Sequence, residues 1–544
     1  QANYDRVKKD EPKLRKALEA AKAALQRAKE AETAAVAALL AEVGPFLAHH
    51  ALDAKLVKGA VLAEATPRGL AEFAQQGGEQ AALVEKLLAD DQLMKEMLVA
   101  GGAKFGEYGA AMRIYSAIQQ ASPKAGSGNL QRLALATALE HARPIPQSNA
   151  KDLTGAPAVV DPVKRYLHYE KAFLDGELDP AFKGFNAWEY RMVVNCDAPD
   201  EILAWGREML RNYRPDHILN PDYGWRYVSA VRTEVPYGSQ NVKYDSPALQ
   251  SYQNIIRNGG VCGRRAFFGR FILRSFGIPT WGVTQRAHAA LSHWTPKGWV
   301  VNLGAGFNAS WWDKDEVPMS GTQFLLETQA RAREPGFAKV LRARWISRVL
   351  GEQAFNERKK ITGDFWSATA HYQSVVLASQ AVTLGPLGQE LAEANEPEHK
   401  QKPASSAVTD SDRQITATAA GGMVVPAVAY GSPTGKFAAM RDVAGGMVLH
   451  CMGGFKAGYT VEVPAAGSYT LTARVATVQV DQKFRFVAND AAPVEIAVPY
   501  TIGMWDQTPP VKLTLTAGRN TIHLESLPGS RGVTIKDFTL APAN

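Results

Sequence analysis

Three cysteines occur in 544 residues, and one has a context that suggests chemistry. Cys262 follows Gly259-Gly260, a loop signal, and is flanked by Val261 and Gly263. From Arg264 to Ser275 the pattern is helical, with Ala266, Phe267, Phe271 and Leu273 supplying apolar bulk. Gly277 is a stop signal, and Ile278-Pro279 leads into a strand. Cys262 therefore stands at or just before a helix N-terminus. There, unpaired backbone N–H groups and the helix dipole favour a thiolate, the nucleophilic form of cysteine. The same N–H groups suit an oxyanion hole. The alternative for Cys262 is a small buried apolar side chain.

A nucleophilic thiol needs a base and a group to orient that base. His288 opens a strand-like run and His293 follows five residues later. That odd separation puts the two on opposite faces of a regular strand, so only one of them can face the thiol. After the turn at Thr295-Pro296-Lys297-Gly298, the run Trp299–Leu303 returns as a strand in which Asn302 is the only polar side chain. A lone polar residue on an apolar strand asks for a buried partner, and an imidazole N–H is a suitable one. The constellation reads Cys262 as nucleophile, His288 as general base and acid with His293 as the alternative base, and Asn302 as orienter.

The elements around this segment divide the chain by texture into a multidomain α+β protein. Residues 1–150 are helical. A long helix over about 4–43 carries Leu14, Leu18, Ala21, Leu25, Ala28, Ala35 and Leu39 near heptad spacing. It suits either an arm packed on its own chain or a coiled-coil dimer. Residues 151–387 form a mixed α/β core with a helical extension, in which Tyr227–Glu234 reads as a strand. Residues 388–412, rich in Glu, Lys, Pro and Ser, read as a linker. Residues 413–544 carry short strands such as Tyr469–Val475 and Val533–Leu540 between turns, the pattern of an all-β sandwich.

Composition narrows the classes. With 46% apolar and 21% charged residues the chain is neither disordered nor a disulfide-stapled miniprotein. Its net charge of +7 is scattered, with no basic and aromatic track for nucleic acid. No zinc-type spacing, phosphate-cradling glycine motif or Asp-rich calcium loop is present, so neither metal nor cofactor is expected. No run of about 18 consecutive apolar residues predicts a membrane span. A chain that opens on Gln1 is consistent with a signal peptide already removed. Export to a secreted, periplasmic or cell-surface location is the expectation. Cys196 and Cys451 fall in different predicted domains and read as buried free thiols.

The segment from Gly260 to Asn302 resembles the transglutaminase-like superfamily, which has a papain-like fold. The matching pieces are Gly260-Val261-Cys262, Leu273-Arg274-Ser275-Phe276-Gly277-Ile278-Pro279, His288-Ala289, Gly298-Trp299 and Asn302. Ala290 stands where the family usually has Trp, Asn302 where Asp is usual, and Leu303-Gly304 where Pro commonly follows. A neutral orienter keeps tautomer control but stabilises an imidazolium less. The resemblance implies a cysteine enzyme with an oxyanion donor upstream of the thiol, for which Trp225 and Gln240 are the candidates. Residues 413–544 resemble galactose-binding-like sandwiches of the carbohydrate-binding-module type, through Tyr459–Pro464, Gly467–Leu471, Gly518–Ile522 and Gly532–Phe538. For that domain Tyr500, Trp505 and Asp506 are the candidate glycan contacts. The function implied is acyl transfer on peptide or protein amides, either hydrolysis or transamidation, with a peptide or glycopeptide substrate and glycan contact through the sandwich. The second reading is a non-catalytic scaffold with a glycan-binding module.

Overall fold

The computed structural model describes residues 2–238, 242–312, 318–382, 384, 405–419 and 421–543, with side chains from residue 11 onward. The protein is a multidomain α+β chain with a helical N-terminal region and a C-terminal antiparallel sandwich. Its compact units do not follow the sequence boundaries. Gln1–Gly102 and Asp313–Val382 form one, and Ala103–Trp312 with Thr383–Asn544 form the other. Residues 103–150 thus belong with the core, and much of the core's expected extension belongs with the N-terminal helices.

In the first unit a helix spans Ala2–Ala48. Its C-terminal part buries Val43 and Leu47, while Leu14, Leu18 and Leu25 remain exposed. It packs on the helices Phe337–Val349 and Phe365–Ala378. One stretch of it, within Glu11–Ala48, is long and apolar enough to cross a membrane by length and composition. Isolated charges interrupt it, so it holds no unbroken apolar run of about 18 residues. Asp53 ties this unit together, accepting from Arg342 at 2.7 Å and from Lys95 at 3.1 Å.

The second unit carries the thiol segment. The helix Cys262–Ser275 ends in a tight reversal, with Ile278 N–H bonded to Leu273 O at 3.0 Å and Gly277 N–H to Arg274 O at 2.9 Å. Gly277, at φ +77, takes the left-handed position that such a helix end requires. The chain then enters β1 (Thr280–Gln285), β2 (His288–Thr295) and β3 (Gly298–Asn302), with a short β4 (Trp311–Trp312) on the other side of β1. The order is β3-β2-β1-β4. Tyr227–Glu234 is not a strand: its centre, Ser229–Thr233, is a helix. The β-branched residues imitate a strand, but the Ser229 and Thr233 hydroxyls bond back to Trp225 O and Ser229 O, one helical turn earlier.

The sandwich is two antiparallel sheets. One runs Asp506–Gln507, Gly467–Ala476, Val533–Pro542, Met447–Cys451, Phe437–Arg441, and the other Val494–Ala497, Lys483–Ala488, Gly518–Ser526, Lys456–Val463, Gly431–Thr434. Alternating residues such as Tyr459, Val461, Leu471, Ala473, Phe484 and Phe486 fill the space between them.

Within the same unit the sandwich is docked on the helix Asp200–Tyr213. The Trp205 indole donates to Ile502 O at 2.9 Å. Thr534 Oγ1 donates to Tyr213 O at 2.7 Å, and the His450 ring meets Tyr213 edge-on at 5.1 Å. Gly503 lies so close that a Cβ there would fall 2.4 Å from Met209 Cγ. Beneath this contact Arg214 forks onto Asp216 and also pairs with Glu234, whose backbone carbonyl accepts from Gln479 at 3.2 Å.

Burial holds His217 at about 4 and His450 at about 3, both well below an ordinary imidazole, and the Arg214 guanidinium keeps the Asp216 and Glu234 carboxyls low. An unfolded chain takes up protons on these histidines below about pH 6.5 and on the carboxylates below about 4.5, whereas the folded chain does not. Stability is therefore full above pH 6.5 and falls with acidification, by up to about 1.4 kcal/mol per pH unit for each group. Urea midpoints measured at pH 7, 6 and 5 should decrease in that order, and an invariant or rising midpoint would contradict the assignment.

Candidate thiol site

Cys262 is the first residue of its helix. Val261 before it is extended, at φ −88 and ψ −172, and has no side-chain acceptor to cap the first turn. The N–H groups of that turn are thus left without a cap. The loop leading in requires its two glycines. At Gly259, φ +78, a Cβ would stand 2.3 Å from Pro236 O, and at Gly260 it would meet Arg264 Cβ at 2.6 Å. With both lacking side chains, segment 236–238 pairs beside them: Gly260 N–H donates to Pro236 O at 3.0 Å and Gly238 N–H to Gly260 O at 3.4 Å. Arg264 is held by Asp245 at 3.1 Å and Arg265 by Val235 O at 2.6 Å.

Cys262 is half-buried, whereas Cys196 and Cys451 are fully buried; all three are unbridged. Burial pushes the Cys451 thiol far up. Cys262 is therefore the one thiol a solvent-borne reagent can reach.

Helix and sheet set the direction in which β1 and β2 run past the thiol helix. Arg274, in the last turn of the helix, donates to Thr280 O at 3.4 Å. One turn earlier, Arg270 Nη1 lies 3.2 Å from where a Cβ on Gly282 would be. β1 therefore runs back along the helix. From Arg270 to Cys262 is about 12 Å of helix, and from Gly282 to Gln285 about 10 Å of strand. Gln285 pairs with His288, and Thr280 pairs with His293. His288 is thus level with Cys262, and His293 lies about 16 Å along β2, level with the far end of the helix.

His293 lies on the sheet face that packs on the cysteine helix, and His288 on the opposite face at the start of the strand. His293 is fully buried on the face that carries Leu291, which meets the helix at Gly269. Its ring nitrogens face Trp294 O at 3.0 Å and Gly224 O at 3.3 Å, and burial lowers its pKa. His293 is a packed core residue beside Gly224 O and Asn302.

Asn302 is also fully buried, but its partner is not His288. Its amide donates to Gly224 O at 2.8 Å, the same carbonyl that faces His293. The ladder explains this, since Asn302 pairs with Leu291 and so shares the face of His293. His288 instead places Nε2 2.7 Å from Leu303 O. Sequence reading did not find this acceptor or Gly224 O, because a backbone carbonyl leaves no residue-type signature. Among the described residues no hydrogen bond joins the Cys262 thiol to either ring.

Of the oxyanion candidates, Trp225 is buried with its ring under the Arg232 guanidinium at 4.3 Å. Gln240 lies outside the described residues. Among the described residues no three His, Cys, Asp or Glu side chains gather as a metal-ligand set.

The loop between Tyr500 and Trp505 is the one docked on Trp205 and Met209 through Ile502 and Gly503. Trp505 packs on Ala438, Met440 and Val448, with the Lys536 ammonium 5.8 Å from its ring centre. Asp506 is exposed on a sheet edge, paired with Val475.

No family model and no curated protein matches the chain. Among solved structures, the C-terminal sandwich is similar to carbohydrate-binding modules. One is the C-terminal family 6 module of a laminarinase from Zobellia galactanivorans, at 20% identity over 22% of this chain and 98% of that one, TM-score 0.20. A family 35 module from Clostridium thermocellum matches at 23% identity over 22% and 97%, TM-score 0.20. A family 6 module of a lichenase from Cellvibrio mixtus, in complex with cellotriose, matches at 20% identity over 22% and 97%, TM-score 0.20. The likeness concerns architecture and places no ligand on this chain.

The glycine pair yields a direct test. Gly259→Ala should lose about 1–3 kcal/mol of stability, from a side chain at positive φ and its clash with Pro236 O. Denaturant unfolding measures this, and an unchanged midpoint would mean that the 236–260 pairing does not hold the cysteine loop.

Proposed function

We propose that the core is a cysteine-dependent acyl-transfer enzyme acting on peptide or protein amides outside the cytoplasm. The observation that carries this reading is the run of β1 back along the cysteine helix, which brings His288 to the same end as Cys262. The thiol attacks the amide carbonyl, with its proton going to the imidazole. The uncapped N–H groups of the helix's first turn are placed to receive charge on the carbonyl oxygen. The imidazolium then protonates the departing amine, leaving a thioester that water or a second amine opens. The resemblance of the segment from Gly260 to Asn302 to transglutaminase-like enzymes supports the same chemistry. In this reading the sandwich is a rigid buttress of the core, and any glycan it contacts is met away from the docked loop.

A second reading, a non-catalytic scaffold, is favoured by one observation: Asn302 bonds Gly224 O rather than an imidazole at the thiol's end.

Alkylation separates the two. With Cys196 and Cys451 buried, iodoacetamide should label the folded chain at Cys262 alone, and Cys262→Ala should abolish labelling. At pH 6 the rate should exceed that of free cysteine by about tenfold or more. Labelling at the free-cysteine rate would refute the enzyme reading and leave the scaffold.

A further inference from the structure

We infer that the backbone carbonyl of Leu303, not the side chain of Asn302, positions His288 for proton transfer. The inference deepens the thiol-enzyme reading and rests on it.

A carbonyl oxygen can only accept. With Nε2 at 2.7 Å from Leu303 O, the ring must carry its proton on Nε2. That fixes the tautomer and leaves the Nδ1 lone pair as the base. Asn302 cannot provide this contact, because the strand ladder turns it to the other face and Gly224 O takes its amide.

Leu303 is shaped for the task in a way its residue type does not foretell. It follows the last residue of β3 and sits at φ +66, in the left-handed region that a leucine seldom adopts, while its side chain is almost wholly buried. Backbone held in such a region needs surrounding structure that over-determines it, and such positions cluster at functional sites. Here the turn directs the carbonyl away from the ladder and toward His288. Gly304, at φ +71, continues the same turn.

In the reaction, Nδ1 takes the thiol proton as sulfur bonds the carbonyl carbon. Nε2–H stays on Leu303 O throughout, and the Nδ1 proton then passes to the leaving amine. Because the orienting group is a neutral amide, it secures direction and tautomer without adding a negative charge beside the imidazolium.

Two measurements on the full chain test this. First, nitrogen-15 spectra of histidine-labelled protein, with His288 assigned through a His288→Gln variant, should show the Nε2–H tautomer; an Nδ1–H tautomer would overturn the inference. Second, glycolic acid in place of Gly304 turns the Leu303 amide carbonyl into an ester carbonyl, a weaker acceptor. This should slow Cys262 alkylation at pH 6 by about three- to tenfold and shift its pH dependence. Asn302→Ala should lower stability but leave the pH dependence in place. A shift with Asn302→Ala and none with the ester would overturn the inference. The Nε2–H tautomer found together with alkylation at the free-cysteine rate would instead overturn the reading on which it rests.

Discussion

The thiol site depends on one reversal of the chain. At the end of the cysteine helix, Gly277 takes a left-handed turn that no side chain could share, since a Cβ there would stand 2.5 Å from Phe182. The two hydrogen bonds that close the turn and the Arg274 contact to Thr280 O set where β1 begins relative to the helix. All later register follows. β1 retraces the helix, β2 starts level with its first turn, and β3 brings Leu303 to His288. A slip of one residue in β2 would exchange the faces of His288 and His293.

The second constraint is the docking of the sandwich on the helix Asp200–Tyr213. It is not a string of surface contacts: the indole of Trp205, the carbonyl of Tyr213 and the fork of Arg214 are all buried. The helix that receives the sandwich also packs on the cysteine helix, where Gly206 allows Phe271 and Ser275 to approach closely. The sandwich is therefore continuous with the layer that supports the thiol helix. A loop rich in aromatic, glycine and proline residues, which in the sequence suggests a ligand platform, serves as the plug of this joint.

What the sequence made legible were features written in side-chain types. The glycines before Cys262, the helix stop at Gly277 and the alternation that separates His288 from His293 all took their expected places. Asn302, the lone polar residue of its strand, is buried, and its amide partner is the Gly224 carbonyl beside His293. A backbone acceptor carries no letter, and neither does the left-handed turn at a leucine such as Leu303. Tyr227–Glu234 is deceptive for a related reason, since its β-branched residues imitate a strand while the Ser229 and Thr233 hydroxyls bond back to carbonyls one helical turn earlier. Domain boundaries were least legible, because Asp313–Val382 joins the N-terminal helices from far along the chain through ion pairs such as Asp53 with Arg342.

The central claim is that Cys262 works with His288 and not with His293. The rate of Cys262 alkylation at pH 6 in His288→Ala and in His293→Ala, each confirmed as folded, tests it most directly. The account predicts a loss of about tenfold or more in the first and a rate close to that of the unaltered protein in the second. The opposite pattern, with His293→Ala slow and His288→Ala unaffected, would contradict it.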